Sequence, residues 1–310
     1  MAYYDLMQTS GKKNTTEWWY FDFLFENGVK VVLSVFTKYY FNASHNGLKP
    51  KMHICALYPD GRKFARSIKN DKGLRFDFAK DELDIKVGAS RIYKRKNVYI
   101  CNFITDEISF DAKIDSDYNY DYLDVFDYEK RLLYWNVSVP CGKVCAKLKI
   151  GEDEQILNGV VYHDHNWSTE RLNRMMTEWK WMRFTADGKT YVVFDVIKKD
   201  GRDLRGYEFG EGKVITHKDV IVGKELSISP ELSYYEDIDI GGHRIKIIDY
   251  AEFIKGNVGN KINVKNKFLR SIVEKIIIIK AGARAYRRYS LQATVDGKPA
   301  DGNIEYINLD

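Results

Sequence analysis

Apolar and polar residues alternate along much of this chain with the period of a β-strand. In the segment 144–150, Val, Ala, Leu and Ile take every second position, with Cys and Lys between them. Successive side chains of a strand point to opposite faces, so this segment is predicted to have one buried and one exposed face. Further strands are predicted at Lys51–Tyr58, Asn97–Ile104, Leu132–Val139 and Gln155–Tyr162. Many short strands predict an all-β sandwich or barrel.

Helical periodicity is confined to two segments, so few short helices are expected. A short helix is predicted at Thr169–Trp179, where apolar residues recur every three or four positions. The segment 265–288 is basic and repeats its apolar residues at helical spacing. These apolar residues are Phe268, Leu269, Ile272, Val273, Ile276 and Ile277. The segment is either an amphipathic helix in peripheral contact with an anionic membrane or a surface helix packed on a barrel.

An internal repeat organises the chain. The sequence Thr-Glu-Trp-Trp-Tyr at 16–20 returns as Thr-Glu-Trp-Lys-Trp at 177–181. Each copy runs into a turn, Asn27-Gly28 or Asp187-Gly188, and then a second apolar segment. Such dipeptides between apolar runs indicate a hairpin, because both turn residues need positive φ. The repeat predicts a duplicated β unit and two domains, 1–155 and 156–310.

The hairpins also predict which residues face each other across the two strands. With two-residue turns, Glu17 pairs with Lys38, and Lys180 pairs with Asp195. Asp195 interrupts an otherwise apolar strand. A carboxyl and an ammonium among apolar neighbours form either a buried ion pair or a general acid in an apolar cavity, and these two alternatives predict opposite charge states.

Composition supports the strand prediction and narrows the function. Aromatic residues make up 14% of 310 residues, with 22 Tyr, and such residues favour strands. A net charge of +5 is mild, and we expect no nucleic-acid partner. The sequence contains no phosphate loop, dinucleotide fingerprint or nucleophile elbow, which disfavours nucleotide-dependent enzymes and hydrolases. Without a secretory signal pattern, the four cysteines are expected to be reduced thiols of a cytoplasmic protein.

The stretch Tyr162–Trp167 carries the densest candidate chemistry, Tyr-His-Asp-His-Asn-Trp. As a metal site it is disfavoured, because strand alternation turns Asp164 away from His163 and His165, so no metal is expected. As a structural network it would hold neighbouring strands through hydrogen bonds. As a catalytic cluster, a carboxyl would transfer a proton while the imidazoles hold that carboxyl or a water molecule.

Three separated motifs carry a family resemblance: Glu17–Tyr20, Tyr162–Trp167 and Asp301–Tyr306. With them the chain resembles the hydroxyneurosporene synthase (carotenoid 1,2-hydratase) and AttH-like family. The resemblance implies two lipocalin-like β-barrels packed together, with a ligand site between or within them. It also implies water addition to an isoprenoid double bond without an organic cofactor, or cyclase and pericyclic activity in related members.

The resemblance also implies roles for particular residues. The family's functional His and Trp correspond to His165 and Trp167, and a later strand Asp corresponds to Asp195. Hydratases carry Tyr two residues before that Asp, where this chain has Val193 and its nearest tyrosine is Tyr191. The candidate catalytic residues are Asp195, His165 and Asp164, and the candidate substrate-binding residues are Trp167, Tyr191, Tyr162, His163, Asn166, Trp19 and Glu17.

Together these features predict a cofactor-independent hydratase-type catalyst for an apolar, isoprenoid-like or polyketide-like substrate. Asp195 would protonate an alkene, and Trp167 and Tyr191 would hold the resulting cation. His165, or Asp164 acting through it, would deprotonate the attacking water. Isomerisation of the alkene is a variant of the same chemistry. A non-catalytic carrier of an apolar ligand and a cyclase or pericyclase are the alternatives.

Overall fold

The computed structural model describes residues 3–38, 43–69, 76–79, 81–118, 120–229, 232–257 and 285–309. The chain divides into two compact units, Met1–Arg171 and Leu172–Asp310. Each unit consists of strands that form a barrel-like sheet, so the all-β prediction is confirmed.

The first unit holds strands β1 to β12. They are β1 Thr16–Phe25, β2 Lys30–Lys38, β3 Lys51–Leu57, β4 Lys63–Lys69, β5 Phe76–Phe78, β6 Asp84–Val87, β7 Ser90–Arg95, β8 Val98–Ile104, β9 Ile108–Asp115, β10 Tyr122–Tyr128, β11 Arg131–Ile150 and β12 Asp153–Ser168. Their order in the sheet is β4-β3-β2-β1-β12-β11-β9-β8-β7-β6-β5, and β10 also pairs with β11.

The second unit holds strands β13 to β23. They are β13 Glu178–Ala186, β14 Lys189–Lys198, β15 Gly201–Gly210, β16 Lys213–His217, β17 Val220–Val222, β18 Glu225–Ser229, β19 Leu232–Tyr235, β20 Asp237–Ile240, β21 His243–Asn257, β22 Ala285–Val295 and β23 Lys298–Asn308. The main sheet has the order β16-β15-β14-β13-β23-β22-β21-β20-β17, and β18 pairs with β19 in a separate two-stranded sheet.

The two units repeat one arrangement of strands. In each, the first strand of the repeated hairpin pairs with the last strand of its unit: β1 with β12, and β13 with β23. This agrees with a duplicated β unit. The boundary expected after residue 155 falls inside β12, which pairs with β11 from Asp153 to Ser168 and with β1 from Gly159 to Ser168. The division between the units therefore lies after Arg171 instead.

Several predicted elements change length. The helix expected at Thr169–Trp179 is a single turn, α1 Leu172–Met175, because β12 ends at Ser168 and β13 begins at Glu178. A 3₁₀ helix, Tyr3–Asp5, adds one further helical turn. The strands expected at 132–139 and 144–150 are one strand, β11, whose register shifts between residues 137 and 142.

The second hairpin has the predicted register. Ala186 pairs with Lys189 across a two-residue turn, and Lys180 pairs with Asp195. Both turn residues have positive φ, as a type I′ turn requires.

The first hairpin reaches its predicted pair by a different route. The Phe25 amide donates to the Val29 carbonyl, and Gly28 has φ +81°, so the turn has three residues. A bulge between Glu17 and its neighbour then shifts the register and returns Glu17 to Lys38. The pair is only a backbone pair, because the buried Lys38 ammonium donates to the carbonyls of Gly11, Lys12 and His45.

Each unit has its own apolar core. In the first, aromatic residues of β1 stack along the strand: Phe21, Phe23 and Phe25 have ring centroids about 6 Å apart. The second core includes Met182, Phe184 and Leu291. In the first unit, β1 and β12 approach closely at Gly159, where an added Cβ would lie 2.1 Å from the Leu24 carbonyl oxygen.

The basic segment 265–288 lies outside the described residues up to position 284, and 285–288 begin β22. Its predicted helix and membrane contact stay predictions. Among the residues that the structure describes, none of the helices is long and apolar enough to cross a membrane.

Candidate functional site

The stretch Tyr162–Trp167 is the last part of β12, and all six of its side chains are buried. Alternation divides them between two faces. His163 stacks on Phe21 and His165 stacks on Trp19, both residues of the first core. The remaining polar side chains share the opposite face: Tyr162, Asp164 and Asn166. One strand therefore carries two separate polar groups.

His163 meets an oxygen acceptor at each ring nitrogen. Nδ1 lies 2.9 Å from the Tyr20 carbonyl oxygen, and Nε2 lies 3.1 Å from Oδ1 of Asp5. The ring stacks on Phe21 with centroids 3.9 Å apart. Both ring nitrogens of His163 are therefore engaged with protein oxygens.

His165 repeats the pattern two residues further along the strand. Nδ1 lies 2.6 Å from the Tyr4 carbonyl oxygen, and Nε2 lies 3.1 Å from Oε1 of Glu17. Its ring stacks on Trp19 at 4.3 Å. Both nitrogens of His165 are thus engaged with protein oxygens.

Glu17 and Asp5 complete the two imidazole–carboxylate pairs. Glu17 also accepts the backbone amides of Gln8 and Thr9 and the Thr9 hydroxyl, at 2.6 to 3.0 Å. The chain segment 4–9 is therefore fastened inside the first unit by the histidines of β12. Hydrogen bonds between neighbouring segments are what the structural-network interpretation predicts, and the histidine face of β12 has this kind of contact.

Asp5 was not identified from the sequence, although it is fully buried. Its carboxylate faces His163 and accepts the Tyr99 hydroxyl at 2.6 Å, and Lys94 donates to that hydroxyl. Burial favours a raised pKa for Asp5, but His163 outweighs it through charge and a hydrogen bond, so the pKa is below its ordinary value. Trp19 donates to the Asp5 carbonyl oxygen. No sequence signal marks Asp5, which precedes every strand.

The opposite face of β12 holds a different kind of carboxyl. Oδ2 of Asp164 accepts from Nε1 of Trp135 at 3.0 Å and from the Tyr162 hydroxyl at 2.8 Å, and Oδ1 accepts from the Asn166 amide at 2.7 Å. Burial raises the pKa of Asp164 above its ordinary value; the hydrogen bonds from Trp135 and Tyr162 and the charge of His163 offset this only in part. Asp164 is therefore a buried carboxyl whose hydrogen-bond donors, Trp135, Tyr162 and Asn166, are neutral.

Trp135 could not be placed from the sequence. A tight turn between β11 and β12 is visible, but the shifts in β11 between residues 137 and 142 disturb any count from that turn. The structure pairs Trp135 with Asn166.

The metal interpretation stays disfavoured by the arrangement of side chains. Asp164 lies on the face opposite His163 and His165, as alternation predicts. Within the described part of the chain, no three His, Cys, Asp or Glu residues are arranged to hold a metal ion.

Trp167 lies on the histidine face. Its ring stacks on Tyr134 at 4.9 Å and 7°, and it also contacts the ring of His165 at 4.9 Å. Tyr4 stacks more distantly, at 6.5 Å. Trp167 therefore continues the aromatic column that includes His165.

Asp195 lies in the second unit, where its buried carboxylate forms an ion pair with the exposed side chain of Arg202 and not with Lys180. Its carboxylate accepts from Nε of Arg202 at 2.6 Å and from Nη2 at 3.1 Å, and it also accepts the Tyr235 hydroxyl. The hydrogen bond that Arg202 donates to Asp195 raises the pKa of Arg202. Burial, with the hydrogen bond that Tyr235 donates to Asp195 and the charge of that carboxylate, raises the pKa of Tyr235. These are the contacts of an ionised carboxylate.

Lys180 faces Asp195 in the strand pairing but uses its ammonium elsewhere. It donates to Oε1 of Glu225 at 2.5 Å and to the Ser233 hydroxyl at 3.1 Å. Backbone register was predictable here, whereas the choice of side-chain partner depends on strands β18 and β19.

Tyr191 is buried in the second unit, where its ring lies 5.2 Å from that of His243. Of the predicted site residues, Tyr191 and Asp195 belong to the second unit, and the other eight belong to the first. Within the first unit the structure brings Glu17 and Trp19 to the histidine face, and it places Asp164 with Tyr162 and Asn166.

The strand arrangement defines a class of protein, a chain of two lipocalin-like β-barrels. The profile of the family described as carotenoid hydratase CrtC matches residues 29–226, and the chain belongs to this family. The resemblance drawn from the three motifs is confirmed. Family membership makes the protein an enzyme of the hydratase type or a related catalyst.

Solved structures show the same fold at low sequence identity. A putative AttH from Nitrosomonas europaea is similar at 14% identity, with a TM-score of 0.67 and coverage of 98% of both chains. Kievitone hydratase from Nectria haematococca is similar at 11% identity and a TM-score of 0.60, covering 96% of this chain and 91% of that one. CghA, in a crystal structure with Sch210972, is similar at 11% identity and a TM-score of 0.61, covering 96% of this chain and 89% of that one. No curated protein matches the chain.

Proposed function

We propose that this protein adds water to an alkene of an isoprenoid-like apolar substrate, in the cytoplasm and without a cofactor, and that Asp164 supplies the proton. The observation that carries the proposal is the state of Asp164: a buried carboxyl whose pKa is raised and whose three hydrogen-bond donors are neutral. A general acid has to carry a proton before it can donate one, and the burial that raises the pKa of Asp164 favours that protonated form. The family to which the chain belongs supports the reaction class.

The reaction follows from the contacts of Asp164. Its proton passes to one alkene carbon, whose π electrons form the new C–H bond and leave a tertiary cation on the other carbon. An aromatic face stabilises such a cation by roughly 0.5 to 2 kcal/mol, and Trp135 and Tyr162 are the nearest rings with defined contacts to the acid. Water then bonds to the cation and returns a proton to the carboxylate, which Trp135, Tyr162 and Asn166 hold by hydrogen bonds.

The proton-donor role moves from Asp195 to Asp164 in this proposal. Asp195 is bound through both oxygens by the Arg202 guanidinium, and such a carboxylate is a poor proton donor. The family resemblance implies a functional role for Asp195, and we propose that it acts as a carboxylate. His165 uses both ring nitrogens on Tyr4 and Glu17, so we propose that it positions the segment 4–9.

The role of Asp164 is tested by Asp164→Asn, which keeps the shape and removes the acid. Turnover is expected to fall by about a hundredfold to ten-thousandfold, with substrate binding retained. In the wild type, turnover should decline as pH rises through the raised pKa of Asp164, because only the protonated form donates. Asp111→Asn makes the same change at an exposed position of β9 and serves as the control. If Asp195→Asn abolishes turnover and Asp164→Asn does not, the acid is Asp195.

The substrate class is tested by mass spectrometry of apolar molecules extracted from the purified protein, followed by incubation with isoprenoid alkenes in isotopically labelled water. A hydratase gives a product heavier by one labelled water. Rearrangement without a gain of mass identifies a cyclase or pericyclase instead. A bound molecule that is released without chemical change identifies a carrier. The core of the first unit is packed with its own side chains, including Trp19, Phe21 and Phe110.

A further inference from the structure

The barrel-like sheet of the second unit closes where β15 and β16 meet β17 and β20, and we call this contact the seam. Among the described residues, β16 and β17 are the two edges of the main sheet, although only residues 218 and 219 separate them in the chain. The seam is a contact of side chains. A Cβ added at Gly206 of β15 would lie 2.7 Å from Cγ2 of Val220 and 2.9 Å from Cγ2 of Ile240, so β15 packs directly on β17 and β20.

A cluster of charged side chains joins the two sides of the seam at one end. Glu208, a buried residue of β15, has Oε1 2.7 Å from Nζ of Lys189 on the neighbouring strand β14. Its Oε2 faces two histidines: Nε2 of His243, the first residue of β21, is 3.4 Å away, and Nε2 of His217, the last residue of β16, is 3.7 Å away. The ring of His217 also lies against the turn between β20 and β21, where a Cβ added at Gly241 would be 2.2 Å from it.

Both histidine contacts depend on the charge of the ring. Nδ1 of His243 lies 2.7 Å from Oδ2 of Asp296, so each nitrogen of this ring faces a carboxylate. A neutral imidazole has one N–H and an imidazolium has two, so only the protonated ring can donate towards both. Within the described part of the chain, Nε2 of His217 has no hydrogen-bond partner, so its attraction for Glu208 is one of charge. Histidine is the side chain that ordinarily changes charge between about pH 5 and 8.

The other titratable groups around the cluster keep their charge states near neutral pH. The hydrogen bond to Glu208 raises the pKa of Lys189, burial raises the pKa of Tyr191, and the hydrogen bond from His243 lowers the pKa of Asp296. Charged groups of the adjoining turns and of β23 lie around these residues: Asp187, Glu211 and Lys298. When the two histidines are neutral, Glu208 keeps its contact with Lys189, which lies on the same side of the seam.

We propose that Glu208, His217 and His243 form a pH-dependent latch on the second barrel. The latch is closed when the histidines are protonated, because β15 and β16 are then attracted across the seam to β20 and β21. It loosens as pH rises and the histidines lose their protons, because the attraction across the seam is lost. The seam has no backbone ladder between its edges in the described residues, so its side-chain contacts decide how often it opens.

The experiment is hydrogen exchange of the full-length protein at about pH 6 and about pH 8, on either side of the usual histidine titration, followed by peptide mass spectrometry. Rates are corrected for the intrinsic pH dependence of amide exchange. Peptides of β16 and β17 are expected to lose protection at the higher pH by roughly threefold or more. The edge strand β4 of the first unit is the internal reference. Burial lowers the pKa of the nearby His53 to about 4, so that ring does not change charge in this interval.

His243→Gln should remove most of the pH difference, so that β16 and β17 exchange at about pH 6 nearly as fast as the wild type does at about pH 8. His45→Gln, at an exposed histidine of the first unit, is the matched control and should keep the full difference. Circular dichroism checks folding, and if His243→Gln does not fold, Asp296→Asn in the exposed turn decides, with a reduced difference expected. The proposal is overturned if the wild type shows no pH difference beyond that of β4, or if the folded latch variant keeps the full difference. It is independent of the proposed hydratase, whose turnover is measured separately.

Discussion

At the scale of single residues, charge pairing separates the three carboxyls that matter most. Asp5 is paired with His163, Asp195 is paired with Arg202, and Asp164 has neutral donors. Burial alone favours the neutral form of each, so the partner decides the charge. Asp5 and Asp195 are anions whose ion pairs hold chain segments together. For Asp164, burial raises the pKa and favours the protonated form.

The stability role of Asp5 gives one prediction at this scale. Asp5→Asn leaves His163 without its carboxylate in a buried place, and the free energy of unfolding is expected to fall by about 3 kcal/mol. Urea unfolding at neutral pH measures the change. Asp60→Asn, at an exposed residue whose carboxylate contacts Arg62, is the control and should leave the unfolding midpoint unchanged. Equal midpoints for Asp5→Asn and wild type contradict the assignment.

The same pair predicts a direction of pH dependence. The pKa of Asp5 is lowered on folding from its ordinary value of 3.8, so its stabilisation is present above that value and is lost as pH falls towards the folded-state pKa. The difference in unfolding free energy between wild type and Asp5→Asn should therefore be constant near neutral pH and shrink below about pH 4. A difference that persists undiminished in acid argues against a carboxylate at this position.

At the scale of elements, β12 organises the first unit because it is paired on both sides along most of its length. β1 lies on one side and β11 on the other, and alternation sends the histidines inwards and Asp164 outwards. The close approach of β1 at Gly159 fixes how these strands meet.

Gly159→Ala tests that close approach. The added Cβ would lie 2.1 Å from the Leu24 carbonyl oxygen, and since this is backbone, the strands must separate. The expected loss is about 2 kcal/mol or more of unfolding free energy, measured by chemical denaturation. The control is Gly210→Ala in β15, where the added atom meets only the flexible Lys189 side chain. An unchanged midpoint in Gly159→Ala, or an equal loss in Gly210→Ala, would contradict the close strand contact as the cause.

At the scale of the whole molecule, the main sheets of the two units share an order of central strands, and these strands have the most complete backbone pairing. Three strands at the centre of each main sheet have a neighbour on both sides. One opens the repeated hairpin, and the other two are the last two strands of the unit along the chain: β1, β11 and β12 in the first unit, and β13, β22 and β23 in the second.

Hydrogen exchange should reveal this arrangement as two separated groups of slow amides. Backbone amides of these central strands exchange only when pairing on both sides opens, so they should be the slowest in their units. The edge strands β4 and β16 should exchange early. Mass spectrometry of peptides after timed exchange measures the pattern. Protection at β4 and β16 equal to that of the central strands would contradict it.

Much of the fold was determined by the sequence alone, because its signals are local. Strand alternation, the Asp187-Gly188 turn and the repeated Thr-Glu-Trp start depend on residues close in the chain, and they predicted an all-β duplicated architecture, the pairing of Lys180 with Asp195 and the separation of Asp164 from its flanking histidines. Tertiary structure decided what lies across the strands: Asp5 beside His163, Trp135 beside Asp164 and Arg202 on Asp195. Bulges and register shifts interrupt any count along the chain, and side-chain partners come from distant segments. Since a buried carboxyl takes its charge from those partners, the sequence located the candidate acids, and only the folded structure distinguished Asp164 from Asp195.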